Sequence, residues 1–78
     1  MKRATVRTTH GDPVTAERLA RAVRPDNTDE MRTTIEDDAL VTTIERETTG
    51  GLQSTVDDYV VNLSVAAQLS DHTTTNNT

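Results

Sequence analysis

The chain has 78 residues, enough for one small domain that buries only about 60% of the surface its unfolded chain exposes. It has no cysteine, its one aromatic residue is Tyr59, and its formal net charge is -5. Disulfides are therefore excluded, and the acidic balance disfavours a domain that binds nucleic acid by itself. Small domains usually add disulfides, a metal or a partner to their core, and the absence of cysteine excludes the first and weakens the second, so we expect the chain to oligomerise.

The composition also bears on the environment of the protein. One lysine accompanies seven arginines, and sixteen residues are threonine. We interpret this bias as the mark of a salt-adapted proteome, because a Debye length of about 3 Å at 1 M salt screens self-repulsion; an ordinary acidic protein is the alternative. No apolar run approaches the roughly 20 residues that span a bilayer, and the first residues lack the apolar stretch of a signal peptide. We therefore expect a cytoplasmic protein that makes no membrane contact.

The first two predicted elements follow each other closely. Residues 3–9 alternate between two sets of side chains with a period of two, which predicts a half-buried β-strand. Asp12 and Pro13 then have the residue types of an N-cap and a first helical position, and the helix is predicted to run to about Val23. Its apolar stripe consists of Ala16, Leu19, Ala20 and Val23.

A β-hairpin is predicted after this helix. Residues 24–27 end the helix, since the residue before a proline is pushed out of helical conformations and Asp and Asn favour turns. Residues 31–36 and 40–45 both alternate with the period of a strand, and Asp37 and Asp38 form a short turn between them.

The last predicted element is a long helix over residues 52–69, which contain no glycine or proline. Residues 48–51, which include Gly50 and Gly51, are expected to form a flexible joint before it. Residues 70–78 contain no apolar side chain and are expected to form a disordered tail. At about 100° per residue, one arc of the helix is expected to cover the sheet. That arc consists of Leu52, Val56, Tyr59, Val60, Leu63, Ala66 and Ala67.

These elements predict a single domain over residues 1–69. Its class is α+β, with a three-stranded antiparallel sheet and two helices on one face, in the order β-α-β-β-α. A second apolar stripe, formed by Val61, Val65 and Leu69, lies on the far side of the long helix and has the spacing of a helix that contacts a partner helix. Scattered exposed aliphatic residues are the alternative explanation.

The sequence gives no sign of catalytic chemistry. His10 lies in a predicted turn and His72 in the tail, and neither has a Glu or Cys nearby at metal-ligand spacing. The Asp pair at residues 37–38 belongs to a hairpin tip, and the pair at residues 57–58 points about 100° apart on a helix. We therefore expect no catalytic residue, no metal site and no cofactor.

The basic cluster of the sequence is on the first predicted helix. It consists of Arg18, Arg21 and Arg24. A solvated face with local ion pairs is one explanation. Contact with RNA that is held mainly by a larger assembly is the other.

Three motifs occur in an order that resembles one protein family. They are R-P-D-N at residues 24–27, I-E-R-E at residues 44–47, and L-Q-S-T-V-D-D-Y-V-V-N-L at residues 52–63. They are similar to the Pcc-type small subunit of KEOPS, a tRNA-modifying complex, especially in its haloarchaeal form.

The resemblance implies a homodimeric, non-catalytic subunit that docks the catalytic Kae-type subunit and joins two copies of the complex. It also implies a three-stranded antiparallel sheet covered by two helices. The complex transfers a threonylcarbamoyl group to the adenosine beside the anticodon, with ATP and metal bound by other subunits. The chain would meet tRNA only through the assembled complex.

Two surfaces are candidates for the two contacts that the resemblance implies. We expect Val61, Val65 and Leu69 to bind the catalytic subunit, and the free face of the sheet to form the dimer. The predicted dimer residues are Thr5, Arg7, Thr34, Val41 and Thr43. A free-standing small RNA-binding module is the alternative function. Such modules stack bases on aromatic side chains of the sheet, and the predicted strands have none.

Overall fold

The computed structural model describes the backbone of residues 1–75 and the side chains of residues 1–69. The predicted α+β fold and the element order β-α-β-β-α are confirmed. The elements are β1 Lys2–Thr9, α1 Pro13–Val23, a 3-10 turn Arg24–Asp26, β2 Met31–Glu36, β3 Ala39–Arg46 and α2 Thr49–Thr75.

The three strands form one antiparallel sheet in the order β1-β3-β2, so β3 is the central strand. Side chains alternate across the pleat, and the β3 residues Leu40, Thr42 and Ile44 are fully buried beneath the helices. Both helices pack on this one face, where the core joins α1, β3 and α2. The opposite face of the sheet has no helix of the described chain against it, and we call it the free sheet face.

The start of α1 follows the residue types that predicted it. The Asp12 Oδ1 accepts a hydrogen bond from the Thr15 backbone N–H at 2.7 Å, and Pro13 occupies the first turn. This backbone hydrogen bond to the carboxylate lowers the pKa of Asp12 below its ordinary value. The predicted apolar stripe is confirmed, because Ala16, Leu19, Ala20 and Val23 are all buried.

The hairpin turn is the predicted two-residue connection. Glu36 and Ala39 are paired across it, and Asp37 has a φ of 58°, in the left-handed region. Asp is one of the few residues other than glycine that adopt this conformation readily, which explains why the turn needs no glycine.

Helix α2 begins earlier than predicted. Thr48 caps it, with its Oγ1 accepting from the Gly51 backbone N–H at 2.9 Å, so Gly50 and Gly51 lie in the first helical turn. The prediction of a flexible joint at residues 48–51 is therefore wrong, because Thr48 caps the helix and both glycines belong to it. Backbone helix continues to Thr75, while side chains are described only to Leu69. The predicted disordered tail, residues 70–78, thus stays a prediction.

One residue of the predicted sheet-covering arc lies elsewhere. Val60 is 44% exposed, whereas Tyr59 and Leu63 are buried and define the centre of the contact with the sheet. Val60 lies at the edge of the arc on the helical wheel, beyond the reach of a sheet that has only three strands. The prediction for Val60 is wrong, and its neighbour Val61 is also exposed.

A chain of hydrogen bonds fastens α2 to the sheet inside the core. The Thr42 hydroxyl is 2.5 Å from the Tyr59 hydroxyl and 2.9 Å from the Thr33 hydroxyl. Thr33 in turn accepts from the Asn27 Nδ2 at 2.7 Å. This series of hydrogen bonds joins the segment after α1 to β2, β3 and α2, and so fixes the position of α2 relative to α1.

Candidate functional site

A groove runs between the end of α1 and the C-terminal half of α2. It is a cleft of about 290 Å³. We call it the helix groove; its lining residues are Ala22, Asp26, Asn62, Val65, Ala66 and Leu69. Val65 and Leu69 are 48% and 62% exposed, so the groove presents apolar surface to the outside.

The structure brings together two of the three residues predicted to bind a partner. Val65 and Leu69 both line the helix groove, beside Ala22 of α1. Val61 is 59% exposed but is not among the lining residues. On a helical wheel Val61 lies on the side of the stripe that is turned away from α1, which explains the difference.

A second cleft, of about 320 Å³, continues the groove toward the start of α2. The two clefts share Asp26 and Asn62. We call this second part the acidic cleft. Its lining residues are Asp26, Asn27, Thr28, Met31, Arg46, Thr55, Asp58, Tyr59 and Asn62.

In the acidic cleft, the arginine has partners within the described chain, whereas the two aspartates have no ion pair there. The Arg46 Nη1 donates to the Thr55 Oγ1 at 2.6 Å, and its Nε lies 3.5 Å from a carboxylate oxygen of Glu30. Within residues 1–69, neither Asp26 nor Asp58 takes part in an ion pair. The cleft therefore has an arginine that is already engaged and two exposed carboxylates that are not.

The free sheet face contains all five residues predicted for the dimer. In one row across the sheet, Arg7 and Thr34 flank Val41, and in the next row Thr5 is opposite Thr43. The alternation of β1, β2 and β3 places these side chains on the same side of the pleat, away from the helices.

The free sheet face also carries two ion pairs, which the sequence analysis did not identify. The Arg7 Nη1 lies 3.1 Å from the Glu36 Oε1, reaching across β3, and Arg3 and Glu45 are paired at 2.6 Å. Arg3 and Glu45 are directly opposite each other in the register of β1 and β3. An alignment of the two predicted strands by their charges would have found this second pair.

The three arginines of the predicted basic cluster are not equivalent. Arg18 and Arg21 line one cleft of about 550 Å³ beside Val14, and Arg21 is also paired with Glu17 at 3.3 Å. Arg24 points elsewhere, with its Nη2 donating to the Thr33 carbonyl at 3.4 Å. Only two of the three therefore share a surface.

Neither metal chemistry nor a membrane span stands out in the part of the chain that the structure describes. It contains no group of three or more His, Asp or Glu side chains arranged to hold a metal ion. Over the same residues, no helix has the length and apolar character needed to cross a bilayer.

Comparison with protein-family models and with curated proteins found no relative of this chain. No protein-family model matches the chain, and no curated protein matches it.

Proposed function

We propose that this chain is a non-catalytic assembly subunit of the Pcc type in a KEOPS complex of a halophilic archaeon. In this proposal the helix groove docks the catalytic Kae-type subunit, and the free sheet face joins two copies of the chain. The chain has no cofactor of its own, acts in the cytoplasm, and meets tRNA only through the assembled complex, with Arg18 and Arg21 as the candidate contacts.

The observation that carries the proposal is the apolar surface in the helix groove. A helix that covers a three-stranded sheet needs one apolar stripe, yet α2 has a second, and Val65 and Leu69 within it are about half exposed or more. Burial of such side chains is worth about 25 cal/mol per Å² of apolar surface, which a small domain with a thin core gains only by association. The three-stranded antiparallel sheet covered by two helices agrees with what the family resemblance implies.

The distribution of aromatic and charged groups disfavours the free-standing RNA-binding module. Tyr59 is the only aromatic residue of the sequence, and it is 2% exposed in the core, where no base can stack on it. On the free sheet face, Arg3 and Arg7 are paired with Glu45 and Glu36. A net charge of -5 further opposes contact with a phosphate backbone.

The docking surface is tested by a matched pair of substitutions on α2. Val65 lines the helix groove and Val60 does not, although both are exposed to a similar extent, 48% and 44%. We expect Val65→Glu to abolish co-elution with the purified Kae-type subunit in size-exclusion chromatography, because a carboxylate would be buried in an apolar contact. Val60→Glu should leave co-elution unchanged. Equal binding by the two variants, with native circular dichroism for both, would show that the groove is not the docking surface.

A further inference from the structure

The helix groove and the acidic cleft form one continuous surface along α2. The residues that α2 contributes to it recur every three or four positions, from Thr55 and Asp58 through Asn62 to Val65 and Leu69. This spacing places them on one face of the helix. Fourteen residues separate Thr55 from Leu69, so the face is about 21 Å long at 1.5 Å per residue. It has the length to accommodate one partner helix of about four turns.

The two ends of this face differ in chemistry. The end near Leu69 is apolar, with Ala22, Val65 and Ala66 around it. At the other end, Asp26 and Asp58 present carboxylates that have no ion pair within residues 1–69.

The one arginine that lines the acidic end is already held by other residues of the chain. Arg46, the cation that lines this cleft, is held by Glu30 and Thr55. Within residues 1–69, no cation is therefore paired with Asp26 or Asp58 at this end of the surface.

From these observations we infer the chemistry of the occupant: an amphipathic helix that carries an arginine or lysine about two turns from its apolar contact residues. Its apolar side chains lie on Val65 and Leu69, and its cation lies between Asp26 and Asp58. Seven residues separate Asp58 from Val65, about 10 Å along α2, which sets the two-turn spacing on the partner. The inference rests on the proposed docking through the helix groove and names the property by which a partner is selected.

The carboxylates supply selectivity more than affinity. An exposed ion pair contributes little, but an apolar helix that brings an acidic residue to this end meets like charge from two carboxylates. A helix with the right apolar stripe and the wrong charge is thus rejected.

The test uses designed helical peptides as the probe, so that it does not depend on the identity of the natural partner. Each peptide has about four turns and a pair of leucines, and carries either arginine or glutamate about two turns away from them. We expect the unmodified chain to bind the arginine peptide about tenfold more tightly than the glutamate peptide, measured by isothermal titration calorimetry. Asp58→Lys should abolish this preference, because the remaining carboxylate of Asp26 is then offset by a neighbouring positive charge.

The neighbouring residue supplies the matched control. Asp57 is exposed and does not line the acidic cleft, so Asp57→Lys makes the same change in net charge outside the cleft. It should keep most of the preference for arginine. Equal binding of the two peptides, binding of neither, or equal effects of the two substitutions would overturn the inference. Failure of the unmodified chain to bind the Kae-type subunit, with the peptide preference intact, would instead contradict only the proposed function.

Discussion

Thr42 shows how one polar residue organises the core of this protein. It is 0% exposed in the middle of β3, and its hydroxyl links the hydroxyls of Thr33 and Tyr59. A buried hydroxyl is costly unless it is hydrogen-bonded, so these three side chains are mutually dependent. Their common role is to fix α2 on the sheet at the position where its outer face forms the groove.

A double-mutant cycle tests this dependence. Tyr59→Phe removes one hydrogen bond and should lower the free energy of unfolding by about 1 kcal/mol. Thr42→Val keeps the shape but leaves the Tyr59 hydroxyl buried without its partner, and should cost about 1–3 kcal/mol. The double variant should cost less than the sum of the two, because the Tyr59 hydroxyl is then absent and is not left buried without its partner. Denaturant unfolding gives these values, and strict additivity would show that the hydroxyls do not interact.

For single residues, the sequence predicted which side chains are buried better than it predicted which side chains are hydrogen-bonded to each other. The wheel correctly assigned Tyr59 to the sheet-covering arc, and the burial of Thr42 agrees with the alternation predicted for residues 40–45. Their hydrogen bond was not predicted, since seventeen positions separate the two residues and periodicity carries no information on which side chains meet.

The start of α2 shows a conflict between local propensity and capping. Glycine is a poor helix former, so Gly50 and Gly51 suggested a joint. The Thr48 hydroxyl and carbonyl accept from the backbone N–H groups of Gly51 and Leu52, and the helix capped in this way includes both glycines. The strands and their turn were predicted well because alternation and turn residues there agree with the final packing.

The two glycines should respond differently to alanine. A Cβ at Gly50 would meet no atom within 4 Å, so Gly50→Ala should raise the free energy of unfolding by about 0.5–1 kcal/mol by restricting the unfolded chain. A Cβ at Gly51 would lie 2.9 Å from the Thr48 Oγ1 and displace the capping hydroxyl. Gly51→Ala should therefore give a lower thermal midpoint than Gly50→Ala. Equal stabilisation by both would mean that the cap contributes nothing.

For the whole molecule, the two proposed contact surfaces lie on opposite sides. The helix groove belongs to the layer of helices, and the free sheet face lies on the other side of β1, β2 and β3. A molecule built this way can bind a copy of itself on one side and a different protein on the other. That arrangement is what a subunit that joins two larger assemblies requires.

The sequence predicted the apolar part of the helix groove and the free sheet face, but it did not predict the acidic cleft. The stripe of Val65 and Leu69 and the outward positions of the strands follow from periods of 3.6 and 2. The acidic cleft could not be predicted in this way, because Asp26 follows α1 and Asp58 lies within α2. Only the packing of the two helices brings these carboxylates to one cleft.

The central claim is that this chain joins two copies of a catalytic subunit through two separate faces. The most direct test is the mass, by multi-angle light scattering, of a purified mixture of the chain and the Kae-type subunit. A control is Val14→Asp, which changes a valine on α1 that is 66% exposed, lines neither the helix groove nor the acidic cleft, and does not belong to the sheet. Val41→Asp places a charge at the centre of the free sheet face instead.

We expect the unmodified chain, about twice 8.5 kDa when alone, and the Val14→Asp variant to give complexes with two copies of each protein. Val41→Asp should halve that mass to one copy of each, because docking survives while the dimer is lost. An unchanged mass for Val41→Asp, or separate elution of the unmodified chain and the catalytic subunit, would contradict the account.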